Sequence, residues 1–105
     1  SGNSFVHETE SQVILNGSYN INFTMDLVLK DTCLFDDLAK KLGAPLEISP
    51  KVVEIFKDGQ KKYGSRAWST MIVKRMEDIN NTNFRAKGFP EELTDNEPEE
   101  KGYEI

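Results

Sequence analysis

Apolar residues recur at helical spacing in three stretches of this 105-residue chain. The first covers residues 22–42 (NFTMDLVLKDTCLFDDLAKKL). At about 100° per residue, Leu27, Val28, Leu34, Phe35, Leu38, Ala39 and Leu42 fall within one broad stripe. Asp36, Asp37 and Lys40 lie opposite, a placement that predicts solvent contact. Asn22 or Thr24 suits the N-cap, and Gly43 suits a left-handed residue just past the end. Lys40 and Lys41 in the last turn complement the negative end of the helix dipole.

Pro45 keeps the following linker extended, and Ser49-Pro50 reads as an N-cap with Pro at the first helical position. A second helix is predicted over residues 50–63, with Val52, Val53, Phe56 and Tyr63 on one face and Gly64 as its stop. A third is predicted over residues 67–79, presenting Trp68, Ile72, Met76 and Ile79 at helical spacing. Residues 1–21 are polar and mixed, with one apolar run at Val13-Ile14-Leu15 before the turn signal Asn16-Gly17-Ser18. They read as a helix end or an irregular lead-in. From Asn80 onward the periodicity stops, and Phe84, Phe89, Leu93 and Tyr103 are the residues by which a tail could dock. The expectation is an all-α chain of three helices with extended ends, divided into a helical domain at 1–79 and a tail at 80–105.

Asp31 breaks the pattern. It sits within the apolar stripe, four residues after Leu27 and four before Phe35, with Lys30 at the stripe's edge. A carboxylate facing a core costs several kcal/mol unless a cation or donors meet it. The residues leave the reading open: a Lys-Asp pair reaching into a cleft toward a ligand or another domain, an internal ion pair, or a helix face that is simply not buried there.

Charge and composition narrow the function classes. The formal charge of −5 is concentrated at the end, because residues 91–105 hold seven of the 18 acids and one of the 13 bases. The body is close to neutral and lacks the dense Lys/Arg stripe of a nucleic-acid binder. No stretch approaches the roughly 18 apolar residues of a membrane span, and Ser1 to Glu10 lacks a basic region and an apolar run, so a cytoplasmic protein is expected. A single Cys33 allows neither a disulfide framework nor a multi-Cys zinc site. Gly-rich phosphate loops are absent, His7 stands alone in a polar lead-in, and Ser4, Ser11 and Ser18 have no partner at acyl-transfer spacing. Neither a catalytic residue nor a metal ligand is expected. The Asn-x-Ser/Thr matches at Asn16, Asn22 and Asn80 read as chance and turn chemistry, ahead of the small secreted glycoprotein they would also suit.

The run from Phe23 through six residues to Lys30-Asp31, followed by a helix and Leu42-Gly43-Ala44-Pro45-Leu46, carries a resemblance. It is similar to the C-terminal domain of the β-hydroxyacid dehydrogenases, the family of 3-hydroxyisobutyrate dehydrogenase and tartronate semialdehyde reductase. Gly2-Asn3-Ser4-Phe5 resembles the family's Gly-x-Ser-aromatic loop, and Tyr63-Gly64-Ser65-Arg66-Ala67-Trp68-Ser69 its later Gly-turn segment, with Ala67 where the family often has Asp. Thr32-Cys33 departs from the usual pair after Lys-Asp.

The resemblance implies the three-helix C-terminal part of a 6-phosphogluconate-dehydrogenase-like helical domain. It implies NAD or NADP as cofactor of the intact enzyme and a small hydroxyacid, or its semialdehyde, as substrate. By position, Lys30 would point at the nicotinamide nucleotide, Asp31 would orient Lys30, and Phe23 would wall the nicotinamide end. The family's Gly-rich turn and catalytic-Lys motif are not among these residues, so the chain is not expected to catalyse alone. The competing reading is a helical interaction module, pairing with another copy through Leu34, Leu38, Val52 and Phe56.

Overall fold

The computed structural model describes residues 2–93, 98–99 and 101–102; Tyr103 and part of the acidic tail lie outside them. The described residues are helical, with no β-strand among them. They form α1 (Phe5–Asn16), α2 (Met25–Lys41), α3 (Ser49–Tyr63), a 3-10 turn (Ser69–Val73) and α4 (Lys74–Asn80). The expected all-α class holds. The helix count does not: the polar lead-in contains α1, and the third predicted helix is divided between the 3-10 turn and α4.

The lead-in folds because its ends are well capped. The Ser4 hydroxyl accepts from the His7 N–H at 3.1 Å, and Gly17, at φ 83°, donates its N–H to Ile14 O. That left-handed φ favours glycine at position 17. Inside α1 only Val13 is buried, and polar side chains bond back to the preceding turn, Thr9 to Phe5 O and Gln12 to Glu8 O among them. Such a helix shows little apolar periodicity.

The 3-10 turn lies at the centre and touches all four helices, while the most extensive contact joins α2 to α3. Met25, Val13 and Thr70 are the largest fully buried side chains, and burying an apolar side chain of this size contributes about 1.5–3 kcal/mol. Gly59 of α3 lets Ile72 pack closely, because a Cβ there would stand 2.5 Å from Ile72 Cδ1 and push that side chain aside.

The start of α2 is held by tertiary bonds rather than by a side-chain cap. Met25 N–H bonds Ala67 O at 2.8 Å and Asp26 N–H bonds Ser65 O at 3.0 Å. Ser69 N–H bonds Phe23 O at 2.8 Å, and Thr24 and Trp68 form an isolated antiparallel bridge. The donors left over at a helix N-terminus are thereby satisfied by the loop between α3 and the 3-10 turn.

Two placements on α2 reverse the sequence expectation. Leu34, Phe35, Leu38 and Leu42, expected inside, are exposed, whereas Asp36, expected in solvent, is 5% exposed. The stripe is wider than the side that α3 and the 3-10 turn can cover, and the covered side is that of Met25, Asp36 and Ala39. Lys40 Nζ meets the Asp36 carboxylate at 2.6 Å and the Ser49 hydroxyl donates to it at 3.3 Å, which makes its burial tolerable. Ser49 is therefore engaged with α2 and does not cap α3; Pro50 sits in the first turn as expected.

After α4, the chain returns along α1. Arg85 Nη1 meets Glu77 Oε1 at 2.9 Å, Arg85 Nη2 donates to Tyr19 Oη at 2.7 Å, and Tyr19 donates to Glu77 Oε2 at 2.7 Å. Phe84 N–H adds a bond to Glu77 at 3.0 Å, and Ala86 N–H bonds Leu15 O at 3.0 Å. Burial alone would raise the Glu77 carboxyl, yet the bonds from Tyr19, Phe84 and Arg85 more than offset it and hold it below the ordinary carboxylate range.

Candidate functional site

The outer face of α2 brings two of the three expected site residues together. Lys30 Nζ lies 3.3 Å from Asp31 Oδ1, with the side chains 60% and 59% exposed. Asp31 thus faces solvent, and the stripe position that suggested a core carboxylate belongs to a face that the described residues leave bare. The pair is a surface ion pair, worth little to stability on its own.

Phe23 stands apart, before the first turn of α2, with its ring at 37% exposure and its carbonyl anchored by Ser69. Lys30 lies about 8 Å further along the helix axis than Met25. Among the described residues, neither a hydrogen bond nor an ion pair joins Phe23 to the Lys-Asp pair. The local backbone near Phe23 is firmly set. Asn22 takes a left-handed φ of 56°, and the Thr24 hydroxyl, followed by the Arg66 guanidinium at 3.4 Å, holds the Asp26 carboxyl below its usual range.

One hollow adjoins this face, and another lies near Phe23. A groove of about 680 Å³ runs between α2 and the linker to α3, lined by Asp31, Phe35, Leu46, Glu47, Ile48 and Val52 among others. A second hollow of about 520 Å³ lies beside the segment bearing Phe23, lined by Asn20, Ile21, Asn22, Trp68, Glu92 and Leu93. The first is an apolar trough edged by two carboxylates. The second pairs an indole with amide side chains, and Leu93, one of the residues expected to dock the tail, lies in its lining.

Chemically, this face can bind and orient. Lys30 offers a solvated ammonium at the side of a helix, a group suited to phosphate as a point charge. Phe23 offers an exposed ring. The described residues hold no cluster of three or more His, Cys, Asp or Glu arranged for a metal ion, and no helix among them is long and apolar enough to cross a membrane.

Among the described residues the chain is all-helical, with an exposed Lys-Asp pair on one helix face and Phe23, anchored through its carbonyl, ahead of it. The family model described as NAD-binding of NADP-dependent 3-hydroxyisobutyrate dehydrogenase matches residues 1–89, and the chain belongs to that family. No match occurs among curated proteins or among solved structures.

Proposed function

We propose that this chain is the C-terminal helical part of an NAD(P)-dependent oxidoreductase acting on a small β-hydroxyacid of the 3-hydroxyisobutyrate or 2-hydroxy-3-oxopropionate type. The supporting observation is the outer face of α2: an exposed Lys30-Asp31 pair with Phe23 ahead of it, on a chain whose family binds NAD. When bound, the dinucleotide supplies the hydride acceptor. The residues of this chain bind and position. The Lys30 ammonium would point at the nicotinamide nucleotide, Asp31, 3.3 Å away, would orient Lys30, and the Phe23 ring would wall the nicotinamide end. Proton transfer to and from the hydroxyl is assigned to the rest of the enzyme, as is the choice between NAD and NADP. A cytoplasmic setting, where a free thiol such as Cys33 persists, belongs to the same proposal.

The test is an activity panel on the enzyme that carries this chain together with a dinucleotide-binding domain. NAD(P)-dependent oxidation of 3-hydroxyisobutyrate or a close β-hydroxyacid is expected, with no oxidation of long-chain or phosphorylated alcohols. Turnover confined to those other alcohols would overturn the substrate class. A second reading, a helical interaction module, is favoured by one observation: Leu34, Phe35, Leu38 and Leu42 are 61%, 59%, 54% and 73% exposed on the same face.

A further inference from the structure

Residues 82–93 run back past the last turn of α1 as a strap, and residues 82–92 are all exposed. Burial therefore holds the strap weakly, and polar bonds to residues 14–16 keep it in place. Ala86 N–H bonds Leu15 O at 3.0 Å and Arg85 Nη1 donates to Ile14 O at 3.3 Å. The Asn16 side-chain amide donates to Pro90 O and, at 3.4 Å, to Glu91 O. The φ of 83° favours glycine at position 17, and the Arg85 side chain lies over it: a Cβ there would stand 2.5 Å from Arg85 Nε. Further along the strap, Glu92 and Leu93 close one side of the hollow that Asn20, Asn22 and Trp68 line.

The strap is thus fastened at Asn16-Gly17, the one Asn-Gly pair in the sequence. An Asn followed by glycine is open to ring closure, because no side chain on the second residue shields its backbone nitrogen. The Gly17 nitrogen attacks Asn16 Cγ, a C–N bond forms and the Cγ–Nδ2 bond breaks. Ammonia leaves, carrying away the proton that the Gly17 nitrogen gave up. Water then opens the cyclic imide at either carbonyl and leaves aspartate or isoaspartate at position 16. Nothing is oxidised or reduced, and water is the only co-reactant.

The docked strap opposes this reaction. Gly17 N–H is donated to Ile14 O at 3.1 Å, Asn16 Oδ1 accepts from Ser18 N–H at 2.7 Å, and Asn16 Nδ2 is engaged by Pro90 and Glu91. Ring closure needs the Asn16 side chain and the Gly17 nitrogen free, so it draws on the chain with its strap open. The product does not refasten. A carboxylate has no proton for Pro90 O or Glu91 O. It also stands at the negative end of α1, beside a segment, residues 91–105, that holds seven acids and one Lys. Isoaspartate adds a methylene to the backbone ahead of Gly17 and unseats that residue from its cap.

We propose that Asn16 is a deamidation site acting as a one-way latch: ring closure on the Gly17 nitrogen unfastens residues 82–93 from α1 and opens the hollow near Phe23. The proposal rests on the bonds between the strap and α1 and stands whether or not Lys30 contacts a dinucleotide.

Peptide mapping of the chain after incubation in mildly alkaline buffer, native and in urea, tests it. Conversion of Asn16 is expected in both, slower in the native chain by about tenfold or more, because only the open strap reacts. Ala86→Pro removes the bond to Leu15 and leaves the Glu77 cluster in place. It should quicken the native conversion severalfold with the far-UV helical signal unchanged. Asn16→Asp reproduces one product, so acrylamide should quench Trp68 more strongly and the Ala86 amide should exchange about tenfold faster or more. An Asn16 that stays an amide in the native chain while the unfolded chain converts overturns the site. Unchanged Trp68 quenching and Ala86 exchange in Asn16→Asp overturn the latch, and equal native rates with and without Ala86→Pro overturn the strap's control of it.

Discussion

The corner where Tyr19, Glu77 and Arg85 meet and the outer face of α2 are opposites in how they treat polarity. At the corner a carboxylate only 2% exposed is met by a phenol, a guanidinium and a backbone N–H. On α2, large apolar side chains stand in water beside an ion pair that is itself mostly solvated. The first region completes itself within the described residues. The second leaves its apolar side chains uncovered by the described residues. A buried charge with every partner in place speaks for internal fastening, whereas a contiguous exposed apolar strip marks an interaction surface.

The largest expected effect comes from opening the corner. Glu77→Ala strands the Tyr19 hydroxyl and the Arg85 guanidinium and should cost about 3 kcal/mol in urea unfolding, since removing one member of a buried pair leaves the other uncompensated. A loss below about 0.5 kcal/mol would show that the corner is not a fastening.

Acid should loosen the same corner. The Glu77 carboxyl is held below its ordinary range in the folded chain, so its contribution is present above the unfolded value and is lost as pH falls through the depressed folded value. Unfolding followed from pH 6 down to about pH 3 should show falling stability, and Glu77→Gln should flatten that fall. Identical pH slopes for the two proteins would remove Glu77 from the account. The smallest effect belongs to the outer face. Leu38→Ala should change the stability of the monomer by no more than about 0.5 kcal/mol, against the roughly 2–5 kcal/mol typical of a buried Leu. A large loss there would mean that the strip is core after all.

Much of this contrast was legible along the chain, and the failures have specific causes. The helices around Leu34 and Phe56 follow from apolar spacing, and Gly43 and Gly64 end them with the left-handed or positive φ expected of glycine. Helix α1 was hidden because capping by Ser4 and Gly17, rather than an apolar face, defines it. The phase of α2 was misjudged because one helix carries two apolar faces, and only tertiary contact decides which is covered. Asp36 gave no sign of burial, since its partner Ser49 lies on the far side of a linker. The Tyr19, Glu77 and Arg85 cluster joins residues 58 and 66 positions apart, beyond the reach of any periodicity. The Lys30-Asp31 pair was found by its misfit in an apolar stripe, and that misfit proves to be the mark of an uncovered face.

The central claim is that this face borders the cofactor, and the affinity of the enzyme for its dinucleotide tests it most directly. Titration of NADPH and NADH fluorescence should give a dissociation constant at least tenfold weaker for Lys30→Ala, about 1.4 kcal/mol, with the helical signal unchanged. An unaltered dissociation constant for both dinucleotides would contradict the claim and leave the outer face of α2 to protein contact alone.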